Sequence, residues 1–141
     1  MIDKAIAMAL KAHEGKLDLA GRPYILHPLR VAMKFAGSED LFSAAVLHDV
    51  VEDSSVTFAQ ISKAFNPFVA KVVDALTRRE GEDYLIEFIP RCRENAFATL
   101  IKIADIEDNL DPNLLLALGD TGIAFVNRYL HALKILKEVK S

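Results

Sequence analysis

Apolar residues recur along this chain at intervals of three and four, the spacing of a helical face, and no alternating run is long enough to predict a sheet. The class this predicts is all-α. Ile2, Ile6, Ala9, Leu10 and His13 share one stripe and Gly15 supplies a stop, which predicts a first helix over about residues 2–14. The next stretch, GKLDLAGRPYILHPLR, carries two glycines and two prolines. It predicts an ordered loop, with Pro28 opening a second helix that runs to about residue 36. Ser38 caps a third helix, with Glu39 and Asp40 at the positive end of its dipole, and that helix continues through VLHDVVED at 46–53. Later helices are predicted over about 57–65, 67–79, 84–95, 96–110 and 120–139. Neither a repeat nor a linker interrupts this pattern, so residues 1–141 are expected to form one domain.

Composition narrows the partners. With 52% apolar and 26% charged residues, a chain of this length can bury roughly 70% of the surface that it exposes when unfolded. The formal charge of −3 and the lack of a Lys/Arg stripe exclude a duplex-binding surface, which needs clustered cations to displace phosphate counterions. Nucleic acid is therefore not an expected partner. The longest apolar candidate for a membrane span, 110–118, is cut by Asp111 and Pro112, so no membrane is expected either. The single cysteine, Cys92, cannot form an intrachain disulfide, and the first residues do not resemble a leader, so the expected location is cytoplasmic. A small-molecule ligand fits this picture best, bound by a monomer or homodimer. The stripe Ile123, Val126, Leu130, Leu133 and Leu136 is read as core or as a dimer seam.

Three places carry chemistry. With Leu47 as origin in VLHDVVED, His48, Glu52, Asp49 and Asp53 fall at about 100°, 140°, 200° and 240° around an α-helix. A solvated face is the ordinary reading of such a stripe. One turn or more upstream, however, Leu41, Ala45 and Phe42 occupy the same arc, so the face that ends acidic begins apolar. That favours an interior site, where charge must be paired or must hold a metal. In ATLIKIADIEDNL, Asp105 shares a face with Ala98 and Ile101, and Asn109 follows at i+4. A salt bridge to Lys102 is the alternative reading of that acid. His27, in PYILHP, lies between Pro23 and Pro28 in the expected loop.

Together these residues resemble a known family. AHEG at 12–15, GRPYILHPLRVA at 21–32, VLHDVVED at 46–53 and IKIADIEDN at 101–109 occur in the order found in the hydrolase domain of Rel/Spo alarmone enzymes, members of the HD phosphohydrolase superfamily. The likeness spans roughly residues 8–110 and is closest to the stand-alone small alarmone hydrolases, since no nucleotide-synthesising domain would fit. It implies an HD-domain bundle of about seven helices around a central helix that carries the His-Asp pair. It implies one divalent metal held by His27, His48, Asp49 and Asp105, with manganese the family's usual ion and Fe²⁺ or Zn²⁺ compatible with the donors. Glu52 and Asp53 resemble the acids that orient or deprotonate the attacking water. Asn109 resembles the family's sugar or phosphate contact, and Arg22, Tyr24, Arg78 and Arg79 are further candidates for substrate binding. His13 corresponds to a packed histidine rather than a ligand.

The activity implied is hydrolysis of the 3′-diphosphate of a (p)ppGpp-type guanosine alarmone or a related nucleotide, by a metal-activated water. Two stretches depart from the pattern. Asp18-Leu19 stand where the family presents an Arg-Lys pair, and Ile106 and Asp108 replace an arginine and a histidine, which predicts a less cationic pocket rim. A hydrolase of a different nucleotide or an NADPH-like phosphoester, and a non-catalytic nucleotide-binding module, are the alternative readings.

Overall fold

The structure, a computed structural model, describes residues 1–138, and every regular element in them is helical. The helices are α1 (Ile2–Ala12), α2 (Leu26–Met33), α3 (Glu39–Val46), α4 (Val50–Asp53), α5 (Phe58–Ala64) and α6 (Pro67–Leu76). A π-helical turn (Tyr84–Phe88) then leads into α7 (Ile89–Arg93), α8 (Ala96–Asn109), α9 (Pro112–Leu118) and α10 (Asp120–Lys137). The one extended pairing among the described residues is a bridge between Leu17 and Pro23, which closes the loop after α1.

Side-chain caps set most of the helix starts. Ser38 accepts the Leu41 N–H, and Thr57 and Gln60 cap each other reciprocally. Asn66 accepts from Val69, and Asn95 accepts from Phe97 and Ala98. Each such cap satisfies an N–H that has no partner within its helix and is worth about 1 kcal/mol.

Helix α3 lies at the centre, packed on α1, α2 and α6. All seven residues from Phe42 to His48 are buried, as expected of a helix apolar on every side. Its core partners include Ala5 and Ala9 of α1, Val31 and Ala32 of α2, and Val69, Val72 and Val73 of α6; Ile101 and Ile106 of α8 join the same core.

The expected central helix is nevertheless interrupted at the His-Asp pair, because α3 ends at Val46 and α4 starts at Val50. His48 N–H bonds Ala45 O at 3.3 Å and Val50 N–H bonds Leu47 O at 3.1 Å, the three-residue spacing of a tighter turn. The cause is local. His48 Nδ1 lies 2.6 Å from the Ala45 carbonyl, so the side chain and its own N–H occupy the acceptor that Asp49 N–H would use in a continuous helix. The angular positions read for Glu52 and Asp53 on one unbroken helix therefore do not hold.

Other boundaries also move. Helix α2 begins at Leu26 rather than Pro28, which places His27 in a helical first turn instead of a loop. Pro28 is tolerated there because N–H groups of a first turn have no helical acceptor. Helix α1 closes at Ala12 with His13 as its cap, and α6 closes at Leu76. The expected helix over 84–95 is divided: its first turn is π-helical, with Ile89 N–H bonding Tyr84 O, and Pro90 offers no N–H to the turn before it. The spacing does not predict helix α9, because Asp111 and Pro112 break an apolar run; in the structure they are its cap and first residue. The split central helix and α9 bring the α segments to ten among the described residues, against the eight that the spacing predicts and the about seven that the resemblance implies.

Helix α10 ends at Lys137; Val139, the expected last residue, and Lys140 lie outside the described residues. The stripe on α10 is only partly core: Leu136 is buried, but Ile123 and Leu130 are 65% and 53% exposed.

Leu47, fully buried in the turn that presents His48, anchors that turn to the core. Leu47→Ala is expected to lower unfolding free energy by about 2–5 kcal/mol in urea denaturation, the usual cost of such a cavity.

Candidate functional site

Three segments far apart in sequence meet at one point. The first turn of α2 supplies His27, the turn between α3 and α4 supplies His48 and Asp49, and α8 supplies Asp105. One ligand atom from each of His27, His48 and Asp105 falls within 4.8 Å of the other two. Asp49 lies outside that triplet, but its Oδ1 is 3.2 Å from His48 Nε2.

Both imidazoles are oriented from behind. His27 Nδ1 lies 2.6 Å from Asp108 Oδ2, and Arg30 holds the same carboxylate through Nε and a terminal nitrogen, at 2.9 and 3.0 Å. His27 Nε2 then points to Asp105 Oδ1 at 2.7 Å. In His48 the Nδ1–H must donate to the Ala45 carbonyl, which can only accept, and Nε2 is left facing the cluster. Tyr24 Oη donates to Asp49 Oδ2 and fixes that carboxylate. Lys102 Nζ donates to Asp105 Oδ2 at 2.8 Å. The salt-bridge reading of Asp105 and the cluster reading are thus both realised, one on each oxygen.

His48 Nε2 decides what the cluster fits. It is buried and makes no hydrogen bond, although Asp49 Oδ1 and Asp105 Oδ1 lie 3.2 and 3.3 Å away. A buried orphan nitrogen beside two carboxylates, with a second imidazole close by, is a donor set for a divalent metal. The backing of His27 by Asp108 and of His48 by a backbone carbonyl is the outer arrangement that such ligands require.

The electrostatics agree with exchange of protons for a metal. Burial opposes charge on His48, but Asp49 and Asp105 outweigh it and hold the imidazole well above its ordinary pKa. Burial likewise opposes charge on His27, and Asp105 and Asp108 raise it. Asp105 is buried too, yet Lys102 and His48 keep its carboxyl well below the usual range, and His48 does the same for Asp49. Both histidine shifts favour protonated imidazoles beside the carboxylates, and ligation of a metal would require the histidines to give up those protons.

Around this centre the other expected residues are placed as follows. Glu52 Oε1 accepts the Arg78 N–H at 2.6 Å; partial burial pushes its pKa up, the Arg78 bond opposes that, and Asp49 adds to it. Asp53 takes the Lys16 ammonium and lies 3.6 Å from His13 Nδ1. His13 is buried against the Tyr24 ring at 4.9 Å. Asn109 and Tyr24 line a cavity of about 300 Å³ whose other walls include Leu19, Leu118, Phe125 and Tyr129.

Arg22 is taken up by Asp18 at 3.0 Å and Asp111 at 3.3 Å, and Arg79 by Asp74 and the Thr77 carbonyl. Arg78 has its guanidinium 5.7 Å from the Tyr84 ring. Asp18 itself accepts the Ala20 and Arg22 N–H groups, so it pins the loop. Asp108, read from sequence as a rim change, instead supports His27 from behind. Its i+3 spacing from Asp105, matched by Arg30 three residues after His27, is the signal that could have revealed this.

The sequence profile of the family described as "HD domain" matches residues 5–88. The chain belongs to the HD domain family. Among similar proteins, a guanosine-3′,5′-bis(diphosphate) 3′-pyrophosphohydrolase of Aquifex aeolicus is 34% identical over 119 residues, which are 77% of this HD domain chain and 17% of that protein. The enzyme of the same name, MESH1, of Danio rerio is 35% identical over 104 residues, covering 66% of this chain and 57% of that one. The chain thus spans about a sixth of the Aquifex relative and just over half of the Danio one. A solved structure, described as a metazoan ortholog of SpoT that hydrolyses ppGpp, superposes with a TM-score of 0.81 over 99% of this chain and 87% of that one, at 22% identity. That likeness establishes the shared all-helical HD fold. Among the described residues no helix is long and apolar enough to cross a membrane.

Two outcomes follow from the geometry. Metal binding should release protons, because the histidines must become neutral to ligate, and affinity should fall as pH drops through their raised pKa values; titration calorimetry in buffers of different ionisation enthalpy measures both. Tyr24→Phe frees Asp49 Oδ2 and should weaken metal affinity about 10- to 100-fold in competition with a chromogenic chelator.

Proposed function

We propose that this chain is a metal-dependent phosphohydrolase that removes the 3′-diphosphate of a (p)ppGpp-type guanosine nucleotide. The observation that carries this reading is the buried, unbonded His48 Nε2 among the Asp49, Asp105 and His27 groups. The names of the Aquifex and Danio relatives support the substrate. His27, His48, Asp49 and Asp105 would hold the metal, and their two nitrogens and two carboxylates suit Mn²⁺, with Fe²⁺ or Zn²⁺ able to use the same donors. A bound dication supplies Lewis acidity, lowering the pKa of water and polarising a phosphoryl oxygen.

The chain's own groups supply the rest. Glu52, raised toward its neutral form and fixed by the Arg78 N–H, is suited to take the proton from an attacking water. Asp53, held by Lys16, orients that water. The water oxygen bonds the phosphorus next to the ribose, the bond from that phosphorus to the 3′-oxygen breaks, and pyrophosphate leaves while the 3′-oxygen takes up a proton. Asn109 and Tyr24 border the 300 Å³ cavity that would receive the nucleoside.

A panel of 3′-diphosphate nucleotides, ordinary mononucleotides and NADPH, offered to Mn²⁺-loaded protein, tests the reading. Release of pyrophosphate from the guanosine 3′-diphosphates is expected, abolished in Asp49→Ala. Glu52→Gln should lower kcat by about 10²- to 10⁴-fold with little change in metal content. Equal inertness of wild type and Asp49→Ala across the panel would sink the proposal.

A further inference from the structure

A second set of groups borders the metal centre. Around the Tyr84 ring stand three cations: the Arg128 guanidinium at 4.6 Å, the Arg78 guanidinium at 5.7 Å and Lys102 Nζ at 5.7 Å. Lys102 is engaged by Asp105. Among the described residues, Arg78, Arg93 and Arg128 form no ion pair with a carboxylate, whereas Arg22, Arg30, Arg79 and Arg91 each do; Arg78 Nε donates to the Glu82 carbonyl at 2.9 Å and Arg93 to the Glu138 carbonyl.

Two polar atoms of the set also lack partners. Arg128 Nε and Tyr84 Oη are buried and make no hydrogen bond. Leaving a buried donor unmade costs about 1–3 kcal/mol, more where the group is charged, so two adjacent orphans call for a ligand. Burial pushes the Tyr84 phenol up to about 12, which keeps its proton available for donation. The π-helical turn that starts at Tyr84 sets this ring, and such turns are frequent at functional sites.

The position of the set relates it to the chemistry. Lys102 bonds the Asp105 oxygen opposite the one that faces the histidines, and the Arg78 N–H bonds Glu52. The Arg128 guanidinium is also 5.3 and 5.6 Å from the Phe125 and Tyr129 rings, which wall the 300 Å³ cavity. Two guanidiniums and a phenol, none satisfied by a carboxylate, match an acceptor with several anionic oxygens, which is the chemistry of a phosphate.

We propose that Arg128, Arg78 and Tyr84 form an anion subsite beside the metal centre that holds a phosphate group of the substrate and of the pyrophosphate it releases. The choice of phosphate rests on the function proposed above; the existence of an anion subsite rests on the orphaned Arg128 Nε and Tyr84 Oη. Arg128 replaces, from α10, the positive charge that Asp18-Leu19 do not provide in the loop after α1.

Titration calorimetry of inorganic pyrophosphate into Mn²⁺-loaded protein tests it, comparing wild type with Arg128→Gln, Tyr84→Phe and, as a control for general charge, Arg93→Gln. Arg93 donates to the Glu138 carbonyl and belongs to neither site. Arg128→Gln should weaken binding about tenfold or more, as loss of a charged hydrogen bond does. Tyr84→Phe should weaken it severalfold, and Arg93→Gln should match wild type. Circular dichroism verifies the fold, and should Arg128→Gln not fold, Tyr84→Phe decides alone. Wild-type affinity in the folded variants, or no pyrophosphate binding by wild type, would overturn the subsite. Arg128-dependent binding without turnover of any 3′-diphosphate nucleotide would instead overturn the proposed function and leave the subsite standing.

Discussion

Asp105 is an anion that the fold has placed out of water, 4% exposed on α8, and the interior of the bundle is arranged to keep it charged. Burying an unpaired carboxylate costs several kcal/mol, so each oxygen is given a cationic neighbour. Oδ2 takes the Lys102 ammonium from one turn earlier on the same helix, and Oδ1 faces His27 from α2 and His48 from the α3–α4 turn. The contact ties three segments of the chain together through one side chain. Under the proposed function the same contact makes the site a place of exchange, where the cationic charge facing Asp105 would come from protonated imidazoles or from a bound dication.

That dependence explains why the supporting groups are built with such redundancy. An imidazole that is to donate from one nitrogen and remain free to ligate needs its far nitrogen held by a fixed acceptor. Asp108, itself gripped twice by Arg30, does this for His27, and the Ala45 carbonyl does it for His48. The second of these has a structural consequence, because occupying the Ala45 carbonyl ends α3 at Val46 and the helix resumes only at Val50. The interruption presents His48 and Asp49 from a turn, and Glu52 and Asp53 from the short helix α4 that follows it. The site's geometry and the break in the central helix are thus the same event, read once as chemistry and once as backbone.

His48, Asp49 and Asp105 stand out in the sequence because they violate the pattern around them, a histidine and three acids at the end of an apolar helix and an acid on the core face of α8, whereas His27 reads as a loop histidine and joins them only through the resemblance. The all-helical class was legible for the converse reason, since apolar spacing elsewhere is regular. What escaped is what depends on partners distant in sequence or on competition for one acceptor. A helical wheel assumes that every carbonyl accepts from the fourth residue on, and it could not show the His48 ring taking the carbonyl of Ala45. Asp108 reads in sequence as a change at the pocket rim because its partners, His27 and Arg30, lie some eighty residues away. Asp111-Pro112 read as a break in one apolar run, when the same pair also begins a new helix. Asp18, similarly, looked like a lost cation at the rim; in the structure its carboxylate closes the loop on Arg22 and Ala20.

The central claim is that His27, His48, Asp49 and Asp105 together hold a single divalent ion. Anomalous diffraction from crystals grown with Mn²⁺, recorded on both sides of the manganese absorption edge, tests it most directly. One peak per chain, within ligand distance of His27 Nε2, His48 Nε2 and carboxylate oxygens of Asp49 and Asp105, is the result predicted. An absent peak at full saturation, or one bound elsewhere with His48 Nε2 still unliganded, would contradict the account.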